Sequence, residues 1–261
     1  MCQHMQHCIM QMQNKFQTDI MPNIHFVPDL PPLDDPINKG GVKGIITTLR
    51  RKGWGVDEML KQANITTVDD LEFDILKEIK GVVEESPLVV TLKDQRLQND
   101  PLLRIFIKIH IWGGRTGRNI FVKESGLDWD AVKPHYEHLI EVCTTPNASN
   151  AKILQAAKNF NSHVKHIGVS FITKHISFWT HVSRGQNALP IYDNTIADGL
   201  GLNRHWDNVE YYWYCMERIL LQPHGDNPWP SCMDSLERQV FQHFRNLKKQ
   251  KKKASCSKKV Y

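Results

Sequence analysis

Six cysteines (Cys2, Cys8, Cys143, Cys215, Cys232 and Cys256) are scattered along 261 residues without one C-x-x-C pair. That spacing argues against a disulfide scaffold, a zinc ribbon and an iron–sulfur cluster, and it fits a reducing compartment. No stretch approaches the roughly 18 continuous apolar residues of a membrane span. The first residues are a polar Met/Gln/His run that lacks the apolar centre of a secretory signal, so a soluble, intracellular protein is expected. Alternating strands longer than a few residues are missing too, which predicts a mainly α fold.

The composition is otherwise that of a globular chain, 41% apolar and 9% aromatic. Its formal charge of +5 is unevenly placed, because seven lysines (Lys248, Lys249, Lys251, Lys252, Lys253, Lys258 and Lys259) fall in the last fourteen residues. Without them, 26 basic side chains face 28 acidic ones, so the body is nearly neutral. A lysine block of this kind reads as a disordered, solvated extension over 246–261, and it also matches a nuclear-localisation signal or a loose phosphate-binding arm. Nuclear localisation is therefore expected.

Residues 1–40 hold five of the eight methionines and five glutamines and lack an amphipathic period, which predicts a disordered N-terminal segment. Cys2, His4, His7 and Cys8 are metal-capable, but four ligands within seven residues at a chain end are a poor zinc site, and no metal is expected. A helical domain is expected over 41–245. Short helices are readable over 56–63 and 69–82, and an apolar run over 101–112 ends at Gly113-Gly114-Arg115-Thr116-Gly117-Arg118. Further helices are expected over 129–142 with Asp128 as N-cap, over 206–221 and over 231–247. Between 150 and 200 the pattern is clearest: Ile153, Leu154, Ala157, Phe160 and Val164 form one helical face, Gly168 punctuates, and Phe171, Ile172, Ile176 and Trp179 begin another. That is a helix, a tight hairpin and a helix. Leu189-Pro190-Ile191-Tyr192 then leads to Asp193, a favoured N-cap type.

Two long windows contain no carboxylate. Between Asp100 and Glu124 the charges are Arg104, Lys108, Arg115, Arg118 and Lys123. Between Glu141 and Asp193 they are Lys152, Lys158, Lys165, Lys174 and Arg184, joined by His163, His166, His175 and His181. Local positive fields in a balanced body suit a polyanion, and each window contains a glycine turn or helix start whose N–H groups can face phosphate. The competing reading is that some of these residues serve the core or point to unrelated faces.

Ile167-Gly168-Val169-Ser170, then Lys174, then Leu189-Pro190-Ile191-Tyr192-Asp193 resembles the helix-hairpin-helix DNA glycosylases, specifically their 8-oxoguanine DNA glycosylase-like branch. In that branch a hairpin Gly-Val-Gly is followed by a lysine nucleophile, and a Pro-Val-Asp lead-in sets an aspartate at a helix start. Ser170 stands at the second hairpin glycine here, and Asp193 follows Lys174 by 19 positions, the interval of that branch. Neither an N-terminal β-sheet domain nor a four-cysteine cluster is evident. The resemblance implies a minimal member whose partner is DNA, a duplex with a damaged or modified base, and which needs no cofactor.

It also implies roles. Lys174 would be the nucleophile at the sugar C1′ and Asp193 the carboxylate that stabilises developing positive charge. Gly168, Val169 and Ser170, with Lys165, Arg115 and Arg118, would bind the DNA backbone. A lysine attacks only as the neutral amine, so an apolar pocket is expected around it, with Phe171, Phe178 and Trp179 as candidates. Trp112, His175, Phe178 and Tyr192 are candidates by type for holding an extruded base. Two rival readings stay open: a non-catalytic hairpin DNA-binding module, and a helical interaction protein that touches nucleic acid only through its lysine tail.

Overall fold

In a computed structural model, the described residues are 75–85, 100–113, 128–164, 167–221, 230 and 232–257, with single positions between 14 and 61. Regular structure among them is helical throughout: α1 (Ile75–Glu85), α2 (Pro101–Gly113), α3 (Trp129–Thr144), α4 (Asn150–His163), α5 (Val169–Arg184), a single 3-10 turn (Gly185–Asn187), α6 (Asn194–Leu200), α7 (Trp206–Leu220) and α8 (Met233–Ser257). The mainly α expectation holds. None of these helices is long and apolar enough to cross a membrane. The N-terminal segment over 1–40, apart from one position, and the short helix over 56–63, apart from three, lie outside the described residues.

The chain divides into two compact units, one within residues 31–188 and one carrying the described residues from Leu189 onward. The helical stretch expected over 41–245 spans parts of both units.

In the first unit α5 is the central element. Every residue from Phe171 to Thr180 is buried, and α1, α2, α3 and α4 all pack on this helix. A helix surrounded on all sides must satisfy its own polar side chains. Thr173 and Thr180 hydroxyls donate to the carbonyls of Ser170 (3.2 Å) and Ile176 (2.8 Å), and Ser183 donates across to Cys143 O (2.6 Å). The ends are set locally. Asp128 accepts from Ala131 N to start α3, and Ser149 accepts from Lys152 N to start α4. Asp100 accepts from Leu102 N (2.9 Å) ahead of Pro101, the first residue of α2, where proline's missing N–H costs nothing.

In the second unit α6 and α7 pack on α8. Gly201, with φ of 71°, closes α6 in the left-handed conformation that glycine adopts without strain. Where composition predicts a disordered tail from 246, α8 continues to Ser257. Lysine is a good helix former, and Lys248 bonds Asp198 of α6 at 2.9 Å, so the helix has both propensity and an anchor past Phe244.

Candidate active site

The hairpin between α4 and α5 is short and tied. The Asn161 side-chain amide donates to Ile167 O (3.0 Å), and Gly168 O accepts from Phe171 N (2.9 Å) and Ile172 N (3.3 Å). Gly168 is the N-cap of α5 without a side-chain cap, leaving the first N–H groups of the helix to other partners. It is exposed, its φ of −90° suits any residue, and a Cβ there would meet nothing within 4 Å among the described residues.

Lys174 lies one turn into α5 and is only 7% exposed. Its Nζ donates to Ser170 O (3.1 Å), the carbonyl four residues back, and sits 4.8 Å from the centre of the Phe171 ring. The last residue of α2 closes the other side: a Cβ on Gly113 would fall 3.1 Å from Lys174 Cδ and 2.6 Å from Phe171 Cε1. A side chain there would collide because the end of α2 comes against the Phe171 ring and the lysine stem, which fill the seam between the two helices.

Behind Phe171 stands a buried imidazole pair. His110 stacks on Phe171 (5.0 Å, 6°) and tilts against His175 (5.0 Å). His175 lies on Phe106 (4.9 Å), and its Nδ1 is 2.9 Å from Tyr136 Oη, which accepts from Trp179 Nε1 (2.8 Å). Since the indole can only donate, the phenol hydrogen is left for His175 Nδ1, putting the ring proton on Nε2. Among the described residues, both His110 nitrogens and His175 Nε2 are buried without a hydrogen-bond partner. Burial, followed by the nearby Lys174 charge, holds His110 down to about 3; burial, then His110 and Lys174, holds His175 well below its usual range. Both rings are neutral at pH 7. The floor under Lys174 is aromatic and uncharged.

Asp193 belongs to the other unit, where it caps α6. Its Oδ1 accepts from Thr195 N (2.8 Å) and Ile196 N (3.1 Å), which fixes the carboxylate and leaves Oδ2 outside the cap. The three residues before it are each held. Pro190 O accepts from Trp213 Nε1 (2.8 Å), Ile191 N–H donates to the Glu237 carboxyl, and Tyr192 Oη donates to Asn203 O (2.8 Å).

The sequence-predicted residues therefore distribute unevenly. Phe171 lies directly against Lys174, whereas Phe178 packs edge-on against Trp112 (5.2 Å) and Trp179 serves the Tyr136 network. His175, Phe178 and Tyr192 are fully buried, and Trp112 is half-buried at the end of α2. Gly168, Val169 and Ser170 form the start of α5, while Arg115, Arg118 and Lys165 lie outside the described residues. Three charges of the acid-free windows serve structure. Lys108 is buried and pairs with Glu78 of α1, which also takes Arg104 (3.2 Å), and Arg184 bonds Ala148 O (2.8 Å) and Asn150 Oδ1 (2.9 Å). Sequence reasoning missed His110, Gly113, Tyr136 and Glu237. A histidine in the densest apolar run, and a glycine at its end, are the signals that could have pointed to the first two.

Among the described residues no cluster of three or more metal-capable side chains occurs. Residues 87–241, which contain both Lys174 and Asp193, match the family described as "Putative 8-oxoguanine DNA glycosylase OGG-like protein". The chain belongs to this OGG-like family. The match runs from ahead of α2 into the first half of α8, so it takes in the hairpin and the capped aspartate. A DNA glycosylase-like family with DNA as its partner is the functional class. No curated protein and no solved structure matches this OGG-like chain.

Proposed function

We propose that this protein extrudes a damaged or modified base from duplex DNA and cleaves its N-glycosidic bond, with Lys174 as nucleophile and Asp193 as the carboxylate beside the sugar. The carrying observation is the setting of Lys174: a lysine 7% exposed, laid on Phe171 above two neutral imidazoles, one turn from an uncapped helix start. A buried, largely apolar site is the general means of making a lysine amine nucleophilic. Attack on C1′ breaks the C1′–N bond, and the base leaves with the bonding pair. The Asp193 carboxylate offsets the positive charge that grows at the sugar, and its cap holds it ready without reorganisation. Opening of the sugar ring then yields a Schiff base, which gives the enzyme strand-cleaving lyase capacity.

The open backbone at Gly168–Ser170 suits a DNA phosphate, since neither φ nor packing requires glycine at 168. Arg115, Arg118 and Lys165 complete the backbone contacts in this reading, and Trp112 is the aromatic candidate nearest solvent for the extruded base. A nuclear location is part of the same reading, supported by the lysine block at 248–259.

The test is borohydride trapping on labelled duplexes carrying 8-oxoguanine, other modified bases or a preformed abasic site. The parent protein should give a covalent complex that Lys174→Ala abolishes, and Asp193→Asn should slow it by about 10²-fold or more. Intact duplex binding with no trapping and no base release on any duplex would refute the enzyme and leave a non-catalytic DNA-binding module.

A further inference from the structure

Glu237 has no part in the chemistry above, yet it is a carboxylic acid only 7% exposed in the unit that carries Asp193. It lies on α8, one turn after Asp234, and accepts the N–H of Ile191, two residues before Asp193. That bond is the middle of three. Trp213 of α7 holds the carbonyl of Pro190, and the Tyr192 hydroxyl holds the carbonyl of Asn203 beyond α6. Consecutive residues 190, 191 and 192 are thus tied to three different places, and the next residue is the aspartate. α6 itself is pressed on α8: a Cβ on Gly199 would fall 2.3 Å from the Phe244 ring, and Lys248 pairs with Asp198. Residues 190–200 therefore take their position from α7 and α8, and Glu237 is the buried acid of that set.

We infer that Glu237 is a positioning residue for Asp193, fixing the segment that leads into α6 through its bond to the Ile191 N–H. This rests on the reading of Asp193 as the carboxylate beside the sugar. The groups facing Glu237 are Asp193 from the segment, Tyr212 from α7, and Asp234 and Arg238 from its own helix, with Tyr192 packed on Tyr212. Tyr212 is buried, its hydroxyl lacks a hydrogen-bond partner among the described residues, and burial followed by the charges of Glu237 and Asp193 holds it un-ionised. Arg238 and the Ile191 N–H favour an ionised Glu237; burial, Asp234 and Asp193 oppose it and prevail, raising the group from 4.5 to about 8. At pH 7 the carboxyl is mostly neutral and Asp193 has no second anion against it. Above about pH 8 Glu237 ionises and a second buried carboxylate then faces Asp193; the Ile191 N–H still holds it, but the repulsion between the two acids works against the position of the aspartate.

The experiment uses the full chain and its variants Glu237→Gln, Glu237→Leu and Asp193→Asn, with an abasic-site duplex as probe. Trapping rates are measured from about pH 6 to about pH 9.5, and hydrogen exchange is followed at the Thr195 and Ile196 amides, which the Asp193 cap protects. In the parent, trapping should fall on an alkaline limb centred near 8. Glu237→Gln is the neutral acid's isostere and should keep the neutral-pH rate within about threefold while moving that limb upward or removing it. Glu237→Leu, lacking the acceptor, should exchange faster at Thr195 and Ile196 and trap about tenfold or more slowly. An unchanged alkaline limb in Glu237→Gln, or parental exchange and trapping in folded Glu237→Leu, overturns the inference. Parental trapping by Asp193→Asn instead overturns the role of Asp193, while the exchange of the two amides still reports whether Glu237 fixes that side chain.

Discussion

Gly113→Ala puts one methyl group into the seam between α2 and α5, and its consequences for stability and for chemistry should separate. The added carbon would lie 2.6 Å and 3.0 Å from two Phe171 ring atoms and 3.1 Å from Lys174 Cδ, so something must shift. Phe171 has little room to retreat, because His110 is stacked behind it, and His110 is itself against Phe106 (4.6 Å) and His175 (5.0 Å). The lysine stem is the softest neighbour and takes much of the displacement. For stability, over-packing costs about 1–3 kcal/mol, while alanine recovers up to about 1 kcal/mol of helix propensity over glycine, less at a helix end. The net loss is about 0–3 kcal/mol, read as a shift in a urea-unfolding midpoint. For the chemistry, a nucleophile displaced by even about 1 Å loses about 10²-fold. Single-turnover trapping on an abasic-site duplex should therefore slow by about 10- to 100-fold in a protein that still folds. Trapping at the parental rate by a folded Gly113→Ala protein would refute the claim that this contact positions the lysine.

Asp100→Ala should cost about 3–4 kcal/mol in urea unfolding, because it uncaps α2 and strips a partner from the buried Trp129 Nε1 (2.9 Å) and from Lys133 (2.7 Å). Burial works to raise this carboxyl, but hydrogen bonds from Lys133, Trp129 and Leu102 outweigh it and hold it below 3.8; its stabilisation is present above about pH 4 and is lost as acid carries the pH through the lowered value, so parent and variant should converge at low pH. Tyr136→Phe should destabilise by about 2–4 kcal/mol, since one lost hydroxyl leaves both Trp179 Nε1 and His175 Nδ1 unbonded in the interior. A calorimetric midpoint equal to the parent's would show that the two groups find other partners.

Periodicity and caps made much of the helical order legible, because those signals are local. Asp128 and Asp193 cap the helices that their positions predicted, and the Gly168 hairpin lies between two helices as read. What stayed hidden is pairing across distance. The window after Asp100 has no acid along the chain, yet Lys108 reaches Glu78, 30 positions earlier, and loses its apparent freedom to meet phosphate. His175 reads as part of a basic window and is a core residue bonded to Tyr136, 39 positions away. Glu237 looks like an ordinary acid on an amphipathic helix, and only the approach of the 190–193 segment gives it a role. The lysine block was misleading for another reason: composition records that a segment cannot build a core, but not that a preceding helix can carry it onward to Ser257.

The two residues assigned to the chemistry are held by separate machinery. Lys174 takes its place from α5 itself: the hairpin that would meet phosphate and the amine that would meet the sugar lie on one rigid helix, six residues or about 9 Å of rise apart. Its surroundings, Phe171, Gly113, His110 and His175, come from α2 and α5, and the Tyr136 bond ties the same helix to α3. Asp193 takes its place from Trp213, Glu237 and Tyr192 within the other unit. A hairpin and a lysine on one helix need only that helix to be rigid, so in the proposed reading contact with the DNA backbone would carry the lysine with it. The aspartate has no such helix in common and must be fixed by its own contacts, which explains why the four residues 190–193 draw in a tryptophan, a tyrosine hydroxyl, a buried acid and two backbone amides.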